Sequence, residues 1–163
     1  MIDISKYTSK SEIKEILQYV KVEGNKAMAT DSFRLAVITL PEPYNEIIQD
    51  GFYKADKWKA ITKEMNAKVP SLLRVQQLVD EAMIHQPDET YPDVSRVIPN
   101  DEELTPFDAT QKGINIKYFY EFLSDVAQMV GEKNNLYWKY IQQQNNHVVY
   151  KDLTTTIILM SLI

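Results

Sequence analysis

A short basic segment is the part of this sequence whose residue types and spacing could do chemistry. It contains four lysines, Lys54, Lys57, Lys59 and Lys63. Lys59 and Lys63 are four residues apart, so their ammonium groups would share one face of an α-helix. Such a face can neutralise successive phosphates of a duplex without reading its bases. The spacing by itself predicts a local basic face, which is the kind of patch that an acidic protein needs if it touches nucleic acid. The alternative that stays open is an ordinary solvated face of an amphipathic helix.

Signatures of catalysis are absent from the sequence. There is no glycine-rich phosphate loop, no His-Glu-x-x-His pair and no Gly-x-Ser-x-Gly elbow. The two histidines, His85 and His147, are far apart in sequence, and isolated histidines usually serve as hydrogen-bonding groups. Acidic runs at 88–89 and 101–103 are interpreted as solvated loops rather than as metal ligands. We therefore predict a protein that is not an enzyme and that holds neither a metal nor a cofactor.

The overall charge restricts how this protein could meet DNA. The formal net charge is −5 over 163 residues. An acidic chain does not attract nucleic acid through its general field, so a DNA contact requires a local basic patch. The chain has no cysteine, which excludes thiolate chemistry and fits a reducing compartment. Since no signal peptide and no membrane-spanning apolar run are found, we expect a cytoplasmic protein with no membrane partner.

The first part of the chain predicts a β-hairpin, a bend and a buried strand. Residues 19–23 alternate between apolar and polar side chains, and Gly24-Asn25 supplies residues that tolerate positive φ angles before 27–29 return. Small polar residues at 30–32 can bond to nearby backbone amides, which predicts a bend. The apolar run 35–40 predicts the buried strand.

Two main helices are expected in the remainder of the chain. Apolar residues recur at helical spacing over about 55–68 and over 116–130, and an extra helix is expected near 71–85. The connector at about 86–113 is rich in loop-forming residues. The outer face of the helix at 116–130 is expected to carry the following polar side chains: Lys117, Glu121, Asp125 and Gln128.

Three further strands are predicted near the end of the chain. They lie at 136–142, 147–150 and 154–163, with a turn at 145–146 between the first two. The chain is short enough for one domain, which we assign to 1–163. The predicted fold class is α+β, with antiparallel sheets backed by the two main helices.

Three blocks of the sequence resemble the bacterial sliding clamps, the β subunit of DNA polymerase III. Residues 29–37, Ala-Thr-Asp-Ser-Phe-Arg-Leu-Ala-Val, are similar to the Ala-Thr-Asp-(Gly/Ser)-His-Arg-Leu-Ala block of that family. Residues 91–99, Tyr-Pro-Asp-Val-Ser-Arg-Val-Ile-Pro, resemble its Phe-Pro-Asp-Tyr-Arg-Arg-Val-(Ile/Leu)-Pro block. The apolar end at 157–163 is similar to the short strand that ends a clamp. The order of the blocks is also that of the family.

This resemblance implies a shortened, single-domain clamp-like protein, of a kind that a phage could encode. Its expected role is that of a non-catalytic processivity factor in DNA replication, which tethers a polymerase or another replication protein to double-stranded DNA. In a clamp, basic helices line the ring, so the resemblance implies DNA contact for the lysines at 54, 57, 59 and 63. A ring made from one-domain chains would be a homo-oligomer.

The resemblance also implies a hydrophobic groove that takes the short clamp-binding motifs of polymerases and repair proteins. Carried over residue by residue, the predicted groove set comes from the three blocks. It consists of Thr30, Ser32, Phe33, Arg34, Leu35, Pro92, Arg96, Val97, Ile157, Leu159 and Ser161. Two departures affect it, because Phe33 stands where the family usually has histidine and the last residues differ from the usual clamp ending.

A second interpretation is a clamp-derived adaptor or decoy, which binds replication-protein peptides but never encircles DNA. Two features favour it. Glu121 and Asp125 on the second main helix would repel phosphates. A helix is also predicted near 71–85, where a clamp has strands.

Overall fold

The computed structural model describes residues 1–11, 13–84, 87, 89–108, 113–131, 140–144 and 147–160. Several of the sequence predictions lie outside these ranges. They concern His85, Asp88, Ser161 and the end of the last strand, the predicted strand residues 136–139, and the turn at 145–146.

Nine strands among the described residues form one antiparallel sheet. They are β1 Tyr19–Glu23, β2 Lys26–Thr30, β3 Arg34–Thr39, β4 Gly51–Lys54, β5 Met83–Ile84, β6 Thr105–Pro106, β7 Ile141–Gln144, β8 His147–Lys151 and β9 Thr155–Met160. The strand order is β5-β4-β1-β2-β3-β9-β8-β7-β6. The pairing of β3 with β9 therefore joins an N-terminal set of strands to a C-terminal set.

The described helices comprise four α-helices and three short 3-10 helices. The α-helices are α1 Tyr44–Ile47, α2 Ala55–Met65, α3 Leu72–Ala82 and α4 Ile116–Val130, and the 3-10 helices are Ile4–Tyr7, Glu15–Gln18 and Asp101–Glu103. None of the helices in the described ranges combines the length and apolarity needed to cross a bilayer.

The main core lies between one face of the sheet and the helices, which we call the helix face. Trp58 and Ile61 of α2 and Phe122 and Val126 of α4 are fully or almost fully buried there. These residues recur at the i, i+3 and i+4 spacing that puts a stripe of apolar side chains on one side of a helix. Burial of this stripe removes a large apolar area from water, which is the main term that stabilises the fold.

The opposite face of the sheet is covered by loop segments and the 3-10 helix Glu15–Gln18 rather than by α-helices, and we call it the loop face. Met28, Leu35 and Ile158 point to this face, and Tyr91 packs on them together with Val94 and residues 97–98. Successive residues of a strand point to opposite faces, so Leu35 and Ile158 belong to the loop face while Ile157 belongs to the helix face.

The predicted α+β class with an antiparallel sheet is confirmed, and α4 has the predicted bounds. Helix α2 ends at Met65 rather than at 68. Helix α3 stops at Ala82 because Met83–Ile84 pair with β4 as a short strand. The connector predicted at about 86–113 contains the short strand β6, which pairs with β7.

Candidate functional site

The bend between β2 and β3 is held by its own short side chains. The Thr30 hydroxyl donates to the Arg34 carbonyl oxygen at 2.7 Å. The amides of Phe33 and Arg34 donate to Asp31 Oδ1 at 2.9 and 2.8 Å. Ser32 has a φ of +76°, a left-handed conformation that is uncommon for a residue with a side chain. The bend satisfies its backbone donors locally and turns Phe33 outward, where it is 51% exposed.

Arg34 is a buried charge with a complete set of acceptors. Only 6% of the residue is exposed. Its guanidinium donates to Asp31 Oδ2 at 3.0 Å, to the Lys6 carbonyl oxygen at 2.9 Å and to the Glu121 carboxylate. Burial alone would lower the pKa of Arg34, but the charges and hydrogen bonds of Asp31 and the charge of Glu121 outweigh it, so the pKa is raised. The guanidinium stays charged and acts as the central link of the bend.

Two tyrosine rings flank the same guanidinium. The Arg34 Cζ atom lies 4.3 Å from the ring centroid of Tyr118 and 5.1 Å from that of Tyr7. A guanidinium over an aromatic face is attracted by the ring quadrupole. The ring of Phe33 lies 6.2 Å from that of Tyr118. The bend, the N-terminal 3-10 helix and the first turns of α4 are therefore joined around one cation.

Asp125 ties the N-terminal 3-10 helix to α4, and its predicted place on an outer helix face is wrong. It is 1% exposed, it pairs with the Lys6 ammonium, and it accepts a hydrogen bond from the Tyr7 hydroxyl at 2.6 Å. Helical spacing alone predicts that Asp125 lies on the polar side of α4, but in the structure residues 4–7 pack over this side and bury it. A buried carboxylate is tolerated there because both partners are in place.

This network predicts a loss of stability at alkaline pH. Burial, followed by the charge and hydrogen bond of Asp125, raises the pKa of Tyr7 well above its ordinary value, and the opposing effect of Arg34 is smaller. A folded-state pKa above the unfolded one contributes stability that is complete below about pH 10 and is lost as the pH rises through the folded value. We therefore expect the free energy of unfolding to fall above about pH 10, by up to about 1.4 kcal/mol per pH unit for this tyrosine.

Urea unfolding from about pH 9 to about pH 12 would measure this slope. Tyr7→Phe should reduce the slope, whereas Tyr120→Phe, at an exposed position of α4, should leave it unchanged. An identical slope in wild type and Tyr7→Phe would contradict the assignment.

A depression of about 530 Å³ opens at the outer side of this network. We call it the Phe33 depression. Its lining residues come from the N-terminal segment, the bend and the first turns of α4, and they are Lys6, Thr8, Ser9, Lys10, Ser11, Asp31, Phe33, Arg34, Lys117, Tyr118 and Glu121. Lys10 and Lys117 are exposed, and neither forms an ion pair with a residue that the structure describes. The depression therefore combines an exposed aromatic ring with two uncommitted cations.

The structure brings part of the predicted groove set together and separates the rest. Phe33 and Arg34 line the Phe33 depression, and Ser32 and Thr30 belong to the same bend. Leu35 and Val97 pack in the loop-face core, whereas Ile157 and Leu159 are fully buried in the helix-face core. Pro92 and Arg96 are exposed on the segment that covers the loop face, and Ser161 lies outside the described residues. These side chains thus occupy both faces of the sheet.

The four lysines predicted to contact DNA are all exposed. Lys57, Lys59 and Lys63 lie on α2, and Lys54 directly precedes it. None of the four forms an ion pair within the described part of the chain. Trp58, Ile61 and Met65 bury the other side of this helix. The lysines of α2 therefore face solvent together with the exposed Asp56, and the surface keeps a net positive charge on an otherwise acidic protein.

Sequence reasoning missed three of the residues that line the depression. Lys6, Lys10 and Tyr118 line the depression, yet no local pattern marks them, because they meet only through the tertiary fold. Lys117 was assigned to the outer face of α4, which is where it lies, but its proximity to Phe33 was not foreseen. Within the described ranges, no group of histidine and acidic side chains has the arrangement of a metal site.

Comparisons with known proteins give similarity at the level of solved structures. No family model matches the sequence, and no curated protein matches it. The structure is similar to the DNA polymerase sliding clamp of Bacillus subtilis, with a TM-score of 0.36 and 17% identity over 96% of this chain and 44% of that one. It is also similar to the β chain of DNA polymerase III from Streptococcus pneumoniae, with a TM-score of 0.38 and 13% identity over 98% of this chain and 45% of that one. The chain thus spans less than half the length of either clamp.

Proposed function

We propose that this protein is a non-catalytic accessory factor of DNA replication that works like a sliding clamp, holding a polymerase or another replication protein on double-stranded DNA. The observation that carries the proposal is the contact among three separate segments of the chain. The three blocks that resemble the clamp sequence are far apart in the chain, yet all three meet at strand β3.

The convergence rests on contacts of β3 with the other two blocks. Arg34 pairs with Leu159 and Ala36 with Ile157 in the β3–β9 ladder. On the loop face, Leu35 and Ile158 form one core cluster, and the side chains of the 91–99 block pack against it. A resemblance of three unrelated segments would not require them to touch. Their contact supports a single inherited unit rather than three chance matches.

The Phe33 depression is the proposed binding site for a partner peptide. Phe33 is exposed beside Tyr118, and the bend beneath it is fixed by Arg34 and Asp31. A concave surface with aromatic walls and a rigid floor suits the capture of an apolar anchor side chain. Leu35, Ile157 and Leu159 are buried in the cores on the two faces of the sheet and do not line the depression, so the peptide would not touch them.

The α2 lysines are the proposed DNA contact. Their exposed ammonium groups suit phosphate neutralisation without base recognition. The two acids of α4 that were expected to repel phosphates are not free on its surface. Asp125 is buried against Lys6, and Glu121 is paired with Arg34. The exposed side chains of α4 are Ile116, Lys117, Tyr120, Ser124 and Gln128, and none of these is acidic.

The second candidate function is an adaptor that binds the same peptides and never encircles DNA. The observation that favours it is α3, a helix at Leu72–Ala82, in a region where the family has strands. The adaptor predicts peptide binding with no affinity for double-stranded DNA.

Reversal of charge on α2 distinguishes the two functions. We expect Lys59→Glu with Lys63→Glu to abolish binding of a fluorescein-labelled duplex in anisotropy titrations at low salt. If each lysine contacts one phosphate, neutralising the pair by Lys59→Gln with Lys63→Gln should reduce the slope of log affinity against log salt by about 2. The measured quantities are the dissociation constant and its dependence on salt concentration.

The matched control is Lys14→Glu with Lys26→Glu, which changes the net charge equally at two exposed positions away from α2. Equal losses in both double variants would mean that only the overall charge matters, which would contradict a contact at α2. Absence of duplex binding by the wild-type protein would reject the tethering function and leave the adaptor.

A further inference from the structure

We infer that the partner peptide of the Phe33 depression is acidic, with an apolar anchor side chain flanked by carboxylates. The inference rests on the proposed function, because it assigns a chemistry to the peptide that the proposed function places there.

Three carboxylates lie at or behind the depression, and each already contacts a cation of the protein. Asp31 and Glu121 accept hydrogen bonds from the Arg34 guanidinium. Asp125 lies behind the wall and accepts from Lys6 and Tyr7. These three carboxylates share two cations, Arg34 and Lys6. With Lys10 and Lys117 the described residues at the depression supply four cations against three carboxylates, so the local balance is positive.

Two cations of the lining, Lys10 and Lys117, form no ion pair with a residue that the structure describes. They line the depression from two different elements, the N-terminal segment and the first turn of α4. Lys117 lies at the positive end of the α4 dipole, where Asn115 caps the helix by accepting from the amides of Lys117 and Tyr118. The ammonium of Lys117 and the helix dipole therefore favour an anionic group near the first turn of α4, whereas the capped amides of Lys117 and Tyr118 are already bonded to Asn115.

The anchor position is defined by aromatic side chains. Phe33 is half exposed, and its ring lies 6.2 Å from that of Tyr118. The Arg34 guanidinium also packs on Tyr118, with its Cζ atom 4.3 Å from the ring centroid. Because Arg34 is fixed by three acceptors, the floor under the aromatic pair is already ordered before a ligand arrives, which reduces the entropic cost of binding.

The charges around the depression therefore favour an acidic peptide as its ligand. The whole chain carries a formal charge of −5, so it repels acidic ligands in general, and this depression is a local exception. A peptide with an aromatic anchor and adjacent glutamates would place its ring on Phe33 and its carboxylates near Lys10 and Lys117. A basic peptide would meet uncompensated ammonium groups there.

The test compares two fluorescein-labelled peptides on the full-length protein by anisotropy. One has a single phenylalanine flanked by two glutamates, and the other has glutamines in place of the glutamates. We expect the acidic peptide to bind about tenfold more tightly at low salt, with a difference that shrinks as salt is added. Lys10→Gln with Lys117→Gln should remove the difference between the two peptides. Lys14→Gln with Lys26→Gln should preserve it.

The other outcomes separate this inference from the proposed function. Equal affinity for the two peptides would overturn the acidic preference and leave a peptide site in place. Binding of neither peptide would overturn both the inference and the peptide-binding part of the proposed function. A labelled oligothymidylate is the third probe. If it binds in a Lys10- and Lys117-dependent manner while neither peptide binds, the depression is a nucleic-acid site and the inference is wrong.

Discussion

Arg34→Ala is expected to lower the free energy of unfolding by about 3–5 kcal/mol. The substitution leaves the carboxylates of Asp31 and Glu121 without their guanidinium partner, and Asp31 is itself almost fully buried. It also removes the cation that packs on Tyr7 and Tyr118. The loss of one partner from a buried charged network is costly because the other charges stay desolvated. Urea denaturation at neutral pH would measure the effect.

Arg96→Ala is the matched control for this prediction. Arg96 also has an aspartate three residues before it, but its side chain is 87% exposed and its closest ion-pair distance to Asp93 is 3.6 Å. Such a surface pair contributes little, so the change in unfolding free energy should stay within about 0.5 kcal/mol. A loss for Arg34→Ala as small as that of the control would mean that the network does not stabilise the bend.

The result also decides how peptide-binding data on Arg34 must be interpreted. An arginine at the mouth of a groove would reduce affinity when removed and leave the fold intact. A buried arginine would reduce affinity because the bend itself unfolds or moves. Comparison of the unfolding free energy with the peptide affinity of Arg34→Ala and Phe33→Ala separates the two cases, since Phe33 is half exposed and its loss should affect mainly affinity.

Leu159→Ala is expected to destabilise the protein by about 2–5 kcal/mol. Leu159 is fully buried on the helix face of β9, the strand that joins the two halves of the sheet. Truncation would leave a cavity where the sheet packs against the helices, and such a cavity costs the transfer energy of the lost atoms together with their packing contacts. Thermal or urea unfolding would measure the loss.

Leu153→Ala provides the control on a residue of the same type. Leu153 is fully exposed in the turn before β9, so its truncation should change the unfolding free energy by no more than about 0.5 kcal/mol. If Leu159→Ala were as mild as this control while peptide affinity fell strongly, Leu159 would be a groove wall rather than a core residue. That outcome would contradict the buried position described above.

Local signals were enough to predict much of the fold. The alternation of residues 19–23 with the Gly24-Asn25 turn predicted the hairpin of β1 and β2, and Gly24 has the positive φ that the turn requires. The apolar stripe around Phe122 and the glycine at 131 predicted the bounds of α4. These elements depend on periodicity and on caps within the element itself, so a single sequence contains the information.

The end of α3 depended on a partner elsewhere in the chain. The pattern of apolar residues continued past Ala82, but Met83 and Ile84 leave α3 to pair with Phe52 and Tyr53 of β4. Helical periodicity does not reveal this competition between helix formation and strand pairing. The hydrogen bonds that end the helix come from a strand some thirty residues earlier. Only the assembled sheet decides the boundary.

The sequence by itself determined that the chain is an acidic α+β protein with a basic α2 surface, because charge and periodicity are properties of neighbouring residues. It also marked the bend at 30–34 as special. Only the tertiary structure decided what the charged residues around that bend do. Arg34 and Asp125 are charged residues of the kind that usually lie on the surface, yet both are buried. They are buried because the N-terminal 3-10 helix and α4 place Lys6, Tyr7 and Glu121 beside them. A buried charge is stable only beside such partners. Because these partners are far apart in the sequence, only the folded chain brings them together.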